Sequence, residues 1–463
     1  MFLAFLKALI RIEVCGYITT ALFLGALFGF AGHLTNFTQA STSFLIVDPY
    51  GSFLAIVICL VGAVISMLAI SYFKRQEERI GEIFSLLLFS AVGMCLMVMT
   101  THLLTLFIAL EVMSLSLYVL VGVQRQAFIS SEGALKYFVL GSAASSFLLL
   151  GIALFYGATN SLSVQGSLGV TLVKPFDLYL KLGIVLLILG FAFKVGAVPF
   201  HFWTPDVYTG APYPITGFMA TGVKVAAFGA LLRVLQYTFN LFPVPSIRLV
   251  TLLSLATMIV GNLAALRQTN LKRILAYSSI GHAGYLLLGV VAYLSQLQGQ
   301  AAGDVGPILF YLLTYCLMTL GTFAILSTLA KGSEEAVELN DLAGLASRKP
   351  FVAGLLAIFL FSLAGLPPTV GFVGKFYLFK QAVMMGHVSL VVVAVLTSAI
   401  SFYYYVAPIV AMYFKTGDKV TITWINPLAL TLVAMLALSI LYLGIKPSQY
   451  LVLTNMAFMA TNL

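Results

Sequence analysis

LGIVLLILGFAFKVGAVPF (182–200) is nineteen residues long and carries one charge, Lys194, followed at once by Gly196 and Pro199. An apolar run of this length matches the roughly 20 residues an α-helix needs to cross about 30 Å of hydrocarbon. A proline in mid-run removes a backbone hydrogen bond and breaks or kinks the helix. In a membrane, such a break is tolerated where the segment is buried in protein or lines a hydrated cavity. A charge near the bilayer centre costs roughly 2.5–3.5 kcal/mol on insertion scales, so a lysine beside the break needs a reason to be there.

The rest of the chain repeats this theme. Of 463 residues, 61% are hydrophobic and only 8% charged, and the mean hydropathy is +1.07. A soluble chain would carry about 25% charged residues. Thirteen candidate spans are read, at about 14–34, 49–72, 84–100, 102–123, 133–157, 179–200, 215–237, 246–266, 271–294, 306–330, 351–378, 388–413 and 426–444. The expected fold is therefore an all-α polytopic membrane protein with about 13 transmembrane helices. The first span lacks a small-residue cleavage site and reads as a membrane span rather than a signal peptide. No loop is long enough for a soluble domain; the longest, 158–178 and 331–350, read as polar or Gly/Ser-bearing connectors.

The formal charge of +9 does not point to nucleic acid, because most basic residues lie in short loops beside the spans. With the N-terminus inside, fourteen basic residues fall in inner segments and six in outer ones, leaving four lysines within spans. The positive-inside rule then places the N-terminus in the cytoplasm and the C-terminus outside. The four cysteines are isolated in apolar runs, with no CxxC and no Cys/His cluster at metal-ligand spacing. Neither a Walker loop nor a strand-associated GxGxxG is present, so if the protein belongs to a redox or ATP-driven machine, that chemistry is on another chain.

An internal repeat is visible. Leu104–Val123 matches Leu271–Val290 at a shift of 167, with Ala109/Ala276, Tyr118/Tyr285, Leu120/Leu287 and Gly122/Gly289 identical. At a shift of 168, Ala197-Val198-Pro199 falls on Gly365-Leu366-Pro367. Five spans separate the two units, and an odd number reverses orientation, so the repeat is expected to be inverted, as in many ion-coupled transporters. The expected organisation is an N-terminal helical part at 1–83, a first five-helix repeat at 84–237, its inverted counterpart at 246–413, and a C-terminal helix and tail at 414–463. Breaks are expected near Gly196–Pro199 and Gly365–Pro368, with Pro367, Pro368, Gly371 and Gly374 around the second.

The charges inside the spans are the candidate site: Glu111, Lys136, Lys194, Lys224 and Lys375. Lysine exchanges protons readily when desolvated, whereas one glutamate cannot neutralise all these lysines. A proton or ion path is the reading that follows. Lys136 sits near a helix start, where an i,i+4 pair with Glu132 is the plainer alternative. His282, in SSIGHAG, is either a satisfied structural histidine or a relay member. His201 and Asp206 follow the first break, where Asp206 fits a capping role and His201 an anchor or a proton contact.

At this point the chain is similar to a known family. KVGAVPFHFWTPDVYTGAPYPIT (194–216), TNLKRILAYSSIGHAGYLL (269–287), SLAGLPPTVGFVGKFYLF (362–379) and EGALKYFVLGSAASSFLLLG (132–151) closely resemble the N-type antiporter-like subunits of bacterial respiratory complex I. The resemblance extends over essentially the whole chain from about residue 40. The related L- and M-type subunits and Mrp antiporter subunits tend to show PDAH-like residues where this chain has Pro205-Asp206-Val207-Tyr208, and M-type subunits tend to carry Glu where Lys375 stands.

The resemblance implies two inverted five-helix repeats, each with a broken helix. It implies that Glu111 is the partner of Lys194, Lys224 the central lysine and Lys375 the lysine towards the exit. Lys136 matches a further family lysine and His282 a polar residue of the central axis. It further implies a proton-translocating subunit of NADH-quinone oxidoreductase in a bacterial inner membrane. FMN, iron–sulfur clusters and the quinone site would lie on partner subunits, and no cofactor on this chain. The expected partners are the other membrane-arm and peripheral-arm subunits, especially neighbouring antiporter-like and small membrane subunits, together with lipids. The family usually has fourteen spans, so the first is expected to be missing here. Two other readings stay open: a subunit of an Mrp-type cation/proton antiporter, and a structural membrane subunit that carries its lysines without moving protons.

Overall fold

The computed structural model describes residues 12–36, 40–75, 81–124, 126–165, 177–299, 303–331, 334–335, 337–417, 421–422, 427–448 and 454. Lys7, Arg11, Arg79, Arg125, Lys174 and Lys419, all used in the loop-charge count, lie outside these residues, as does much of the 158–178 connector.

Apolar runs without water must satisfy their backbone groups internally, and the chain does so with helices. They are α1 Ile12–Asn36, α2 Pro49–Arg75, α3 Glu82–Val98, α4 Leu103–Val121, α5 Phe128–Thr159, α6 Asp177–Val195, α7 Trp203–Gly210, α8 Tyr213–Phe218, α9 Lys224–Thr238, α10 Pro243–Ala265, α11 Leu271–Gln298, α12 Gly306–Ser327, the short α13 Leu345–Arg348, α14 Pro350–Ala364, α15 Val370–Met384, α16 Val388–Phe414 and α17 Pro427–Ile445. Among the described residues, ten helices are long and apolar enough to cross a membrane. The protein is an all-helical polytopic membrane protein. Its few strands are two or three residues long: β1 Ala40–Ser41 pairs with β2 Ile46–Val47, and β3 Leu329–Lys331 pairs with both β4 Glu334–Glu335 and β5 Thr421–Ile422.

Burial sorts the helices into a centre and a rim. The most apolar stretches of α2, α8–α9, α11 and α12 are 89%, 100%, 94% and 94% buried, against 17% for α1 and 39% for α5, α10 and α16. Yet α11 is among the less apolar of these helices, with Ser278, Ser279 and His282 at its middle. Polar residues at the very centre are where a hydrated or proton-carrying line can be shielded from lipid. α10 reaches α11 closely because both present glycine: a Cβ on Gly261 would lie 2.6 Å from the Gly281 nitrogen.

Two helices stop inside the bundle in the same way. α6 ends at Val195, and Gly196 takes φ +73°. Gly196 N–H donates to Phe193 O at 3.0 Å and Ala197 N–H to Ala192 O at 2.8 Å. α14 ends at Ala364, and Gly365 takes φ +87°. Gly365 N–H donates to Ser362 O at 3.0 Å and Leu366 N–H to Phe361 O at 3.1 Å. Both pairs form a Schellman cap, which requires the left-handed residue that glycine supplies without a Cβ penalty. The proline after each glycine then prevents resumption until Trp203 and Val370.

Two features go beyond what the loop sequences give. The 331–350 connector is structured: β4, a 3-10 turn at Leu339–Leu342 and α13 occupy it, and Asp341 closes a capping box with Glu338. Arg233 and Lys272, counted among span-end and loop charges, are buried, because each has a carboxylate partner brought in from a distant segment.

Candidate functional site

Lys194 stands on the last turn of α6, just before the first break, and is 2% exposed. Its Nζ donates to Ser114 Oγ at 2.8 Å and lies 5.7 Å and 5.9 Å from the ring centroids of Phe193 and Tyr118. Ser114 in turn donates to Leu110 O at 2.6 Å. Glu111, one turn earlier on α4, is half-buried and accepts from Ser145 Oγ of α5 at 2.5 Å. Glu111 and Lys194 therefore do not form the direct ion pair that the resemblance implied. The serine hydroxyl of α4 occupies the position next to the ammonium, while the carboxylate turns to α5. The two still interact electrostatically across that gap.

Lys224 begins α9 immediately after a π-helical turn, Met219–Val223. Such bulges inside α-helices are frequent at functional sites. It is 4% exposed; its ammonium donates to the Ser279 carbonyl and lies 5.3 Å from the Tyr315 ring centroid. Tyr315 donates to Ser279 Oγ at 2.9 Å, and Tyr208 approaches the same oxygen at 3.4 Å.

From Ser279 the polar line continues along α11. Ser278 bonds the Tyr405 hydroxyl, which is 2.9 Å from His282 Nε2, while Tyr311 is 2.6 Å from His282 Nδ1. A neutral imidazole has one donor and one acceptor nitrogen, and a hydroxyl can serve either. His282 is thus fully satisfied and also joined to two hydroxyls able to pass a proton. It lies within the fields of both Lys224 and Lys375.

Lys375 is on α15, beyond the second break, and is 5% exposed. Its Nζ donates to Ala364 O at 3.0 Å, Leu363 O at 3.3 Å and Ser398 Oγ at 2.9 Å, and sits 5.3 Å from the Tyr285 ring centroid. The ammonium thus takes up carbonyls left free where α14 ends, at the negative end of that half-helix. Around Tyr285, Asn262 links its hydroxyl (3.2 Å) to that of Tyr404 (2.9 Å).

Lys136 is apart from this line. Its side chain is 41% exposed and pairs with Glu132 and Asp206, each at 2.7 Å. Asp206 also takes Arg273 at 3.0 Å, so it ties α5, α7 and α11 together rather than capping a turn. His201, after the first break, is buried near Phe202.

Sequence reading missed several partners. Ser114, Ser145 and Ser398 hold the charged groups, and their only signal is a hydroxyl in an apolar run. Two buried ion pairs were also missed. Asp48 and Arg233 meet in a two-pronged bridge at 2.8 and 2.9 Å, both at most 4% exposed. Lys272 bonds Glu335 and donates to Ala211 O at 2.7 Å, while Tyr72 donates to Glu335 at 2.6 Å. Among the described residues, no group of three or more His, Cys, Asp or Glu side chains could hold a metal ion.

Fold and site together define a helical membrane protein of the antiporter-like kind, with lysines spaced along a buried polar axis. A family model described as "NADH:quinone oxidoreductase/Mrp antiporter, TM" matches residues 100–401. NADH-quinone oxidoreductase subunit N of Trichlorobacter lovleyi is 43% identical over 91% of this chain and 86% of its own length. A chain of respiratory complex I from Thermus thermophilus superimposes with a TM-score of 0.83 at 36% identity, covering 98% of this chain and 97% of that one. A chain of the Mrp complex from Dietzia sp. shares the fold at 22% identity, with a TM-score of 0.83 over 98% of this chain and 93% of that one. The chain belongs to the NADH:quinone oxidoreductase/Mrp antiporter transmembrane family, and within it to the NADH-quinone oxidoreductase subunit N proteins.

Proposed function

We propose that this chain is a proton-translocating membrane subunit of NADH-quinone oxidoreductase, with Lys194, Lys224 and Lys375 as its proton-carrying groups, Glu111 at one end and His282 between the last two lysines. One contrast supports this reading above all. Among the described residues, five lysine and arginine side chains are at most 5% exposed. Arg233 and Lys272 have carboxylate partners; Lys194, Lys224 and Lys375 are held only by hydroxyls, carbonyls and ring faces.

A buried ammonium without a counter-ion is costly, so permanent charge on all three at once is disfavoured. Charge that moves from one to the next meets prepared acceptors at each station. Electron transfer from NADH to quinone, with its flavin, iron–sulfur clusters and quinone site, belongs in this reading to other subunits of the complex. The half-exposed Lys136 cluster fits a surface tie better than a relay step.

In the same proposal the chain crosses a bacterial inner membrane thirteen times, with the N-terminus in the cytoplasm and the C-terminus outside. Residues 84–237 and 246–413 form inverted five-helix repeats, and 1–83 and 414–463 flank them; the matched caps at Gly196 and Gly365 support the pairing. Other membrane-arm and peripheral-arm subunits, and lipid, cover the apolar rim.

The test is ΔpH formation driven by NADH in membranes where assembly of the complex is verified. Lys224→Ala and Lys375→Ala should each depress pumping and the coupled quinone reduction. Wild-type pumping in both would leave the lysines a structural role and end the relay reading. Recovery of the chain with Mrp components and without NADH dehydrogenase subunits would replace the parent enzyme.

A further inference from the structure

The polar line does not stop at Lys375. Six residues further along α15, about 9 Å at 1.5 Å per residue, lies Gln381. It is 6% exposed, and its Oε1 is buried without a hydrogen-bond partner. Its Nε2 donates to Asp304 O at 2.5 Å and approaches Gln296 Oε1 at 3.4 Å. Gln296 also accepts from Asp304 N–H at 2.7 Å. Beside it, Ser295 of α11 bonds His387 Nε2 at 2.7 Å.

Three elements thus converge at the far end of the bundle: the end of α11, the entry to α12, and the α15–α16 turn. Asp304 and His387 are both half-buried there. Among the described residues Asp304 takes one side-chain hydrogen bond, from Gly306 N–H at 2.8 Å, and no cation. Between this cluster and Lys375 lies an apolar collar. Leu378 is fully buried, and a Cβ on Gly289 of α11 would meet Leu378 at 2.6 Å and Ile308 at 2.9 Å.

We propose that Gln381, Asp304 and His387 form the mouth through which protons leave Lys375, with the Leu378–Gly289 contact as the barrier between lysine and mouth. This rests on the relay reading of Lys375. The lysine ammonium gives its proton to water crossing the collar, Gln381 Oε1 orients that water, and the Asp304 carboxylate takes the proton and releases it to bulk water. Each transfer breaks one N–H or O–H bond and forms another, with no other reactant. Burial raises the Asp304 carboxyl above the ordinary aspartate range and outweighs the Gly306 N–H, while burial lowers the His387 imidazole.

The experiment measures ΔpH formation per NADH oxidised in assembled complex carrying Asp304→Asn, Asp304→Glu, Gln381→Leu or Lys375→Ala. Asparagine keeps an acceptor for Gly306 N–H, so a structural role would survive Asp304→Asn. The proposal expects pumping to fall about a hundredfold in Asp304→Asn, at the modest end for loss of a proton-transfer group, to fall in Gln381→Leu as well, and to return in Asp304→Glu. Should Asp304→Asn fail to assemble, Gln381→Leu carries the same test. Loss of pumping in Lys375→Ala with wild-type pumping in the Asp304 and Gln381 variants overturns the mouth and leaves the relay standing. Wild-type pumping in Lys375→Ala removes Lys375 from the relay and the mouth with it.

Discussion

Replacing Lys224 by methionine and Asp48 by alanine should have opposite consequences, because one removes a buried charge with no counter-ion and the other strands one. Asp48→Ala leaves the Arg233 guanidinium buried without its carboxylate. Breaking such a pair costs about 3–5 kcal/mol. Lys224→Met forfeits one charged hydrogen bond, to Ser279 O, worth about 1.5–3 kcal/mol, and a cation–π contact with Tyr315 worth about 0.5–2. It also removes the desolvation penalty of the ammonium, several kcal/mol for an ion without a partner. The net effect on stability should be within about 2 kcal/mol of zero, while pumping is lost. The assay pairs thermal denaturation of the purified complex, followed by retention of this subunit, with NADH-driven ΔpH formation. Asp48→Ala should lower the midpoint and Asp48→Ala with Arg233→Leu should recover most of it. If Lys224→Met destabilises as much as Asp48→Ala, or pumps normally, the distinction between paired and unpaired buried cations is wrong.

Lys375→Arg should assemble, since a guanidinium still donates to the Ala364 and Leu363 carbonyls, but should not pump, because it does not release its proton; ΔpH formation checks this. Gly365→Ala should destabilise by about 1–3 kcal/mol, from a left-handed backbone and a Cβ 3.2 Å from the Lys375 side chain, and should slow pumping as well; a thermal midpoint and ΔpH formation measure both. A cysteine placed at Asn340 should resist impermeant thiol reagents added outside intact cells, since that loop is expected in the cytoplasm.

The fold was largely legible because the membrane imposes a length and a composition on every span. Gly196 and Gly365 were readable as breaks, since glycine two or three residues before proline in an apolar run has few other uses, and both proved to be Schellman caps. The lysines stood out for the same reason. Their partners did not. Nothing in the local sequence separates Ser114, which holds Lys194, from Ser116, which bonds its own helix at Val112 O. Nor does spacing reveal that Asp48 meets Arg233 across 185 positions, or that Lys272 at a helix start is covered by Glu335. Positive-inside counting treats such residues as solvated loop charges, and tertiary burial overrides it.

The two broken helices indicate how a membrane protein can keep a lysine buried without fixing its charge. A carboxylate partner would hold the proton in place; the Asp48–Arg233 bridge is an example of that permanence. A half-helix ending inside the bundle offers about half a negative charge at its carbonyl end, and interaction with it is worth up to about 2 kcal/mol in partly buried geometry. Lys194 lies on the last turn of α6, and Lys375 reaches back to the last carbonyls of α14. The Lys375 ammonium is therefore stabilised by a helix end whose attraction is weaker than the 3–5 kcal/mol at stake in a buried ion pair, while the Lys194 ammonium is held by the Ser114 hydroxyl. That difference supports a charge which is tolerated at each station and yet free to move on. It also gives the second break a purpose beyond bending: it exposes the carbonyls of Leu363 and Ala364, which a continuous helix would have consumed.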